Sequence, residues 1–193
     1  MVLTIGHSVG AGADPAWLMS RETSWVNHST LIAWWITWLG WIDVLLPLAI
    51  ACAVIAFAVP AWRSRIMFAI VSLVVAWRGT DLLQHLFARP RRLDWVVKHE
   101  TSFSYPSSHA AIATAFYLLL AVFVARSTLP GRALWSAVLA VVALAIMWSR
   151  LDLGAHYLTD VLGGFLLGGA IAAALAACWP ANVTSSRGGP ARL

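Results

Sequence analysis

The chain has 193 residues, of which 61% are apolar and only 11% are charged, and its mean hydropathy is +0.79. Soluble domains carry about 25% charged residues, so this composition argues against a water-soluble fold. One helical crossing of a bilayer takes roughly 20 apolar residues, so the length predicts one domain of about five crossings. The net charge is +5, but the 13 basic residues form no continuous stripe. They are interpreted as loop charges of a membrane protein, and no nucleic-acid partner is expected.

Residues 1–41 are predicted to form a polar N-terminal segment with interfacial helices. Asp14 followed by Pro15 is typical of a helix start, and this first short helix is expected on the membrane surface. A second helix is predicted over 30–41, where tryptophans recur at i, i+4 and i+7 from Trp34. Because tryptophan favours the headgroup region, this second helix is also expected at the interface.

Residues 42–179 are predicted to be the membrane domain, an all-α polytopic helical bundle of five transmembrane helices. Residues 60–65 are predicted to be a loop, and the polar tail 180–193, which is rich in Gly, Pro and Ser, is predicted to be disordered. The predicted crossings are 42–59, 66–87, 109–125, 133–148 and 156–179.

Five crossings place the loops 88–108 and 149–155 on one side, which we call the catalytic face, and the loops 60–65 and 126–132 with the tail on the other. With Arg89, Arg91 and Arg150 set aside as chemical, the catalytic face keeps three basic residues diluted by acids. The opposite face has six basic residues and no acid. Basic loops favour the cytoplasm, so the catalytic face is predicted to be extracytoplasmic in the cell inner (plasma) membrane.

Polar residues concentrate in three clusters, all predicted on the catalytic face. They are 84–92 at the end of the second crossing, 105–109, and Ser149-Arg150 followed by His156 and Asp160. Other features of the crossings are interpreted as structural. These are a mutual pair between Arg78 and Asp81, and close helix packing at Gly164, Gly168 and Gly169.

The three clusters have the composition of a phosphate site. Ser107 can cap a helix beginning near His109, and free N–H groups at a helix start bind anions. Arg91 and Arg150 can present planar forks to phosphate oxygens. The alternative interpretations are a simple cap for Ser107 and lipid-headgroup anchors for the arginines.

Two histidines and an acid complete the predicted chemistry. His156 and Asp160 are four apart, so on one helix the carboxylate can hold one ring nitrogen and leave the other free to attack. His109 can protonate the leaving oxygen. The alternative is a zinc site of the same three residues. Neighbouring arginines would repel a dication, so neither a metal nor another cofactor is expected.

The order of these motifs resembles the type 2 phosphatidic acid phosphatase superfamily. The third motif, Ser-Arg-x5-His-x3-Asp from Ser149 to Asp160, is complete, and the second has Ser108 where the family has glycine. The first motif departs from the family pattern. We place Arg91 at its arginine and Gln84 at its lysine, because the register through Arg89 would put Leu82, which cannot donate a hydrogen bond, at the lysine position.

The resemblance covers 42–179 and implies a helical-bundle core with a phosphohistidine mechanism that needs no metal. It implies His156 as the nucleophile, Asp160 as its orienting partner and His109 as the general acid. The residues that it implies for the phosphoryl oxygens are Gln84, Arg91, Ser107, Ser108 and Arg150.

The function predicted from these motifs is hydrolysis of a phosphate or diphosphate on a membrane lipid. A short chain with a polar N-terminal helix is similar to the bacterial undecaprenyl-diphosphate phosphatases of the bacitracin-resistance type, so undecaprenyl diphosphate is the expected substrate. Phosphatidylglycerophosphate, phosphatidic acid, another prenyl phosphate and lipid A phosphate are the alternatives. The non-enzymatic alternative is an anion transporter or an inactive membrane scaffold.

Overall fold

The structure is a computed structural model that describes residues 28–91 and 102–179. The predicted surface helix at Asp14, the loop residues 92–101 and the predicted disordered tail lie outside these ranges. The described residues form six helices, which we number α1 to α6. They are α1 His28–Trp38, α2 Ile42–Ala58, α3 Pro60–Phe87, α4 Ser108–Ala125, α5 Arg132–Asp152 and α6 Leu158–Cys178.

The helices confirm the predicted all-α membrane bundle. Helices α3 to α6 are each long and apolar enough to cross a bilayer. Helices α1 and α2 pass the same test together but are bent by 48°, so they make a fifth crossing if the bent pair counts as one. Alone, α2 has 17 residues and reaches about 25 Å, a little less than a hydrocarbon core. The chain is therefore a multi-pass membrane protein.

Two predicted boundaries are wrong. The segment 60–65 is not a loop but the first turns of α3, and only Val59 separates α2 from α3. Pro60 suits the first turn of a helix because its missing N–H has no partner to lose there. Helix α5 also continues past its predicted end at Trp148, since Leu153 N–H still donates to the carbonyl of Ser149 at 3.0 Å.

Helix α4 is the centre of the bundle. Two thirds of its residues are buried, against less than one third in each of the other crossing helices. Its middle segment, Thr114–Leu118, is π-helical. Many large apolar side chains of the other helices are exposed, as expected for a surface that faces lipid.

Contacts between helix ends show which termini meet at each end of the bundle. At one end an Arg126 N–H donates to the carbonyl of Ala176 at 3.2 Å, and the Arg65 guanidinium lies 5.9 Å from the Trp179 ring. These contacts bring together the start of α3 and the ends of α4 and α6. The other end therefore gathers the end of α3 and the starts of α4 and α6, as the predicted catalytic face requires.

Helix α6 packs on α4 through glycines. A Cβ atom on Gly164 would lie 2.4 Å from the Ser107 carbonyl oxygen, and one on Gly168 would lie 2.3 Å from that of Ala111. The prediction of close packing is confirmed at these two positions. It is wrong for Gly169, where a Cβ would meet nothing within 4 Å because this residue faces away from α4.

We predict that Gly168→Ala destabilises the protein by about 2 kcal/mol or more, because the methyl group would overlap a backbone oxygen that cannot rotate away. Gly169→Ala, the matched control on the same helix, should leave stability unchanged or slightly raised, since alanine favours helix. Thermal unfolding of both variants in detergent measures the difference. Equal unfolding temperatures would contradict the packing described here.

Candidate active site

His156 and Asp160 meet at the start of α6, both fully buried. The predicted geometry on one helix face is wrong, because α6 begins at Leu158 and His156 lies in the bend before it. Helix α6 starts there since the Asp160 carboxylate accepts the Tyr157 N–H at 3.0 Å. His156 Nδ1 lies 3.5 Å from Asp160 Oδ2, at the long limit of a hydrogen bond and without its angular geometry. The contact is an electrostatic one that a bound substrate can tighten.

Two further side chains fix the Asp160 carboxylate. Arg89 Nη1 lies 2.6 Å from Asp160 Oδ1, and the Ser104 hydroxyl donates to Oδ2. The Arg89 guanidinium also lies over the Tyr157 ring, 4.1 Å from its centroid, and the side chain is buried. Arg89 is therefore the ion-pair partner of Asp160.

Arg91 contacts the other nitrogen of His156. Its Nη1 lies 3.1 Å from His156 Nε2 and also donates to the carbonyl of Ala155 at 3.1 Å. Two more bonds of 2.8 Å run from the guanidinium to the carbonyl and hydroxyl of Ser102. A guanidinium only donates, so this arrangement leaves the Nε2 lone pair as acceptor.

The environment keeps His156 neutral. The pKa of His156 is lowered to about 4, chiefly by burial. The Arg91 and Arg150 cations also lower this pKa, and together they outweigh Asp160, which raises it. An imidazole with that pKa is unprotonated at pH 7. It can therefore act as a nucleophile without a prior loss of a proton once Arg91 Nη1 turns from His156 Nε2 to a bound phosphate.

Arg150 reaches the site from α5, which includes both residues of the predicted Ser149-Arg150 pair. It is fully buried, and its Nη1 donates to Thr37 Oγ1 at 2.9 Å. Its backbone carbonyl accepts the N–H of Ala155 at 3.1 Å, which ties α5 to the bend that carries His156.

A cleft of about 300 Å³ opens beside the start of α4. Three predicted site residues line it, Gln84, Ser108 and His109. The Nε2 atom of His109 is buried and has no hydrogen-bond partner among the described residues, while the ring packs against Trp41 with centroids 5.9 Å apart. Gln84 Nε2 donates to the carbonyl of Pro106 at 2.9 Å. The cleft is therefore lined by a histidine whose Nε2 has no hydrogen-bond partner among the described residues.

The cleft adjoins the His156 cluster, because the ring of His109, which lines the cleft, lies within electrostatic range of His156, Arg91 and Arg150, and the segment 104–109 contributes to both. None of the cluster side chains His156, Arg91 and Arg150 lines the cleft. Ser107 connects the two, because its backbone N–H donates to the carbonyl of Asp160 at 2.9 Å. Its hydroxyl accepts the N–H of Ala110 at 3.5 Å, which confirms Ser107 as the cap of α4.

The exposures of Gln84 and Leu82 bear on which of them occupies the lysine position of the first motif. Gln84 is 6% exposed and lines the cleft, whereas the Leu82 side chain is 62% exposed. This geometry favours Gln84 at the lysine position. The phosphate-binding roles of Gln84, Arg91, Ser107, Ser108 and Arg150 stay predictions.

The predicted pair between Arg78 and Asp81 is wrong within the described part of the chain. Arg78 lies over the Trp77 ring at 4.6 Å, and the Asp81 carboxylate lies 3.8 Å from His85 Nδ1. Asp81 lines the cleft together with Asp43. In residues 28–91 and 102–179, no three His, Cys, Asp or Glu side chains are arranged to hold a metal ion, so the alternative zinc site has no geometric support.

Sequence reasoning missed three residues that hold the site together, and it counted Arg89 among the chemical arginines without giving it a role. The sequence signal for a role of Arg89 is its position before Pro90 in the arginine-rich loop. Ser102, Ser104 and Thr37 carry no motif, and they reach the site only through the tertiary fold.

The pKa of His156 predicts a pH-dependent stability. Between pH 6.5 and 4 the unfolded chain binds a proton at this residue that the folded chain does not, so folding stability falls as the pH falls through this window. From pH 7 to 5 the loss is about 2 kcal/mol. Thermal unfolding in detergent should show a smaller loss over this interval for His156→Gln than for the natural chain. An equal loss in both would contradict the neutral buried state.

Solved structures share this fold. The crystal structure of a PAP2 type phosphatidylglycerolphosphate phosphatase from Bacillus subtilis matches with a TM-score of 0.76 and 26% identity, over 86% of this chain and 84% of that one. LpxE from Aquifex aeolicus matches with a TM-score of 0.62 over 84% of this chain and 93% of its own. Its 19% identity shows the fold alone.

Sequence comparisons give the family. Phosphatidylglycerophosphatase B of Bacillus subtilis (strain 168) is 31% identical over 158 residues, 75% of this chain and 70% of that protein. The putative undecaprenyl-diphosphatase YbjG of Escherichia coli (strain K12) is 34% identical over 100 residues, and the chain spans about half of its length, 46%. The PAP2 superfamily model matches residues 6–184. The chain therefore belongs to the PAP2 superfamily and is a membrane lipid phosphatase.

Proposed function

We propose that the protein hydrolyses a lipid phosphate through a phosphohistidine on His156 Nε2. The observation that carries this proposal is a buried, neutral His156 with Asp160 beside one ring nitrogen and Arg91 beside the other. Attack by Nε2 forms the phosphorus–nitrogen bond as the bond to the lipid oxygen breaks. Water then cleaves the phosphohistidine and releases phosphate.

Proton transfer falls to His109 in this scheme. His109 lines the cleft, and its buried Nε2 has no hydrogen-bond partner among the described residues. In its protonated form, which the phosphate anion of a bound substrate stabilises, His109 donates the proton to the leaving oxygen. The same nitrogen then accepts a proton from the attacking water. Asp160, held by Arg89 and Ser104, orients the nucleophile and stabilises the charge that it acquires.

The phosphoryl oxygens would be held by arginine forks and neutral donors. Arg91 already lies at the attacking nitrogen, so a phosphate in line with Nε2 meets its guanidinium. Arg150 supplies the second cation. Gln84 replaces the family lysine with a donor that carries no charge, and Arg89 does not compensate for it because Asp160 already engages it.

The cleft favours a leaving group that can donate hydrogen bonds. The leaving oxygen must lie near His109, and His109 lines the same cleft as Asp43 and Asp81. A hydroxylated alcohol, such as the glycerol headgroup of phosphatidylglycerophosphate, can donate to these carboxylates. Undecaprenyl diphosphate would instead bring a second phosphate beside them. We therefore place phosphatidylglycerophosphate first, and the expected undecaprenyl diphosphate becomes the second candidate, supported by the similarity to YbjG.

The proposed location is the plasma membrane, with the site on its outer side. The six basic residues predicted on the face opposite the catalytic face support this orientation. Among them, Arg65 and Arg126 lie at the end of the bundle opposite His156.

The nucleophile assignment predicts that His156→Ala lowers turnover by at least about 1000-fold and abolishes labelled phosphoenzyme that is acid-labile and alkali-stable. Asp160→Asn should keep a slow residual rate, since the nucleophile remains. His85→Ala is the matched control, because that histidine is exposed and lies outside the proposed mechanism. Near-normal turnover in His156→Ala would refute the assignment, provided that thermal unfolding shows all three variants folded.

Phosphate release from a panel of lipids in detergent tests the substrate. The panel contains phosphatidylglycerophosphate, phosphatidic acid, undecaprenyl diphosphate and lipid A phosphate, each with EDTA present. We expect kcat/KM to be highest for phosphatidylglycerophosphate. Asp43→Asn should raise hydrolysis of the diphosphate about three- to fivefold relative to the monoesters, because it removes a like charge. Preference for the diphosphate in the natural chain would overturn the order proposed here.

A further inference from the structure

Helix α1, the first helix of the described residues, reaches the candidate active site, although it precedes all three family motifs. It packs chiefly on α5. Two of its hydroxyl side chains face that helix. Thr37 accepts a bond from Arg150 at 2.9 Å, and Ser29 donates to the Asp152 carboxylate at 3.3 Å. Both contacts join segments more than 100 residues apart in the chain.

The turn after α1 packs against the proposed general acid. A Cβ on Gly40 would lie 2.7 Å from Ile146 Cγ2 and 3.3 Å from His109 Cδ2, so only glycine fits there without displacement. The Trp41 ring makes an edge-to-face contact with the same imidazole. The Tyr117 hydroxyl of α4 donates to the Leu39 carbonyl at 3.0 Å and fixes the turn.

Arg150 needs neighbouring groups that hold its side chain in one conformation. An arginine side chain has several rotatable bonds, and holding it in one conformation costs side-chain entropy. Its cation is fully buried, so the protein must supply hydrogen-bond acceptors around it. Thr37 is also fully buried, and its hydroxyl oxygen is one such acceptor at 2.9 Å.

We infer that Thr37 is a positioning residue that aims the Arg150 guanidinium at the substrate phosphate, so that α1 is part of the active site. This inference rests on the proposed phosphate-binding role of Arg150. Thr37 itself touches no reacting atom in the scheme. Its contribution is to orientation, and it should be visible in phosphate affinity more than in the protein's stability.

The test compares Thr37→Val, which keeps the shape and removes the hydroxyl, with Thr37→Ser, which keeps the hydroxyl. A hydrogen bond to a charged group supports an effect of about tenfold. We expect Thr37→Val to raise KM for the lipid phosphate and the inhibition constant of orthovanadate about tenfold each. Thr37→Ser should stay within about twofold of the natural chain.

Two controls separate positioning from structure. Ser136→Ala removes another side-chain bond of α5, to the Ala121 carbonyl, and should change neither KM nor vanadate inhibition. In an Arg150→Lys background, Thr37→Val should lose most of its effect, because the residue acts through the arginine fork. Thermal unfolding is recorded for every variant.

Each outcome decides the inference. Unchanged KM and vanadate inhibition in Thr37→Val would overturn it while leaving the proposed function intact. Equal losses in Thr37→Val and Thr37→Ser, or a full effect in the Arg150→Lys background, would also overturn it, since neither fits a hydroxyl acting through Arg150. An inactive natural chain would refute the proposed function and this inference together.

Discussion

The buried carboxylate of Asp160 is the constraint around which the active end of the bundle is organised. An isolated carboxylate without water is strongly unfavourable, so every nearby element must offer it a donor or a positive charge. Arg89 comes from the loop after α3, Ser104 from the segment before α4, and the Tyr157 N–H from the start of α6. Satisfying one anion therefore brings three distant segments together, and His156 is placed by the same set of contacts.

Hydropathy predicted the fold well because the bilayer imposes a simple rule on sequence. A crossing needs a long apolar run, and the runs matched α3 to α6 closely. The errors lie where polar or special residues occur inside helices. Pro60 and Arg150 lie just outside the apolar runs, which predicts loops there, yet proline fits a first turn and the buried cation is matched by acceptors.

The motif residues were predictable by chemistry and spacing, but their supporting contacts were not. His156, Asp160 and Arg91 lie together as the motifs imply. Thr37 meets Arg150 across 113 positions of sequence, and no periodicity or composition in one chain reports such a pair. The substrate is equally hidden from the motifs. They describe the residues proposed to meet phosphate, whereas Asp43 and Asp81 line the cleft proposed to receive the leaving group.

The π-helical segment Thr114–Leu118 of α4 has a consequence for comparing this chain with its relatives. A π turn closes its hydrogen bonds over five residues and so holds one residue more than an α turn. Each residue turns an α-helix by about 100°, so one residue more or fewer here would rotate every later side chain of α4 relative to His109. Phe123, which packs against Phe68 and Trp179, would then leave its neighbours. A one-residue gap between a relative and this chain is structurally tolerable at this segment, where a change between π and α geometry can absorb it, and disruptive elsewhere in α4.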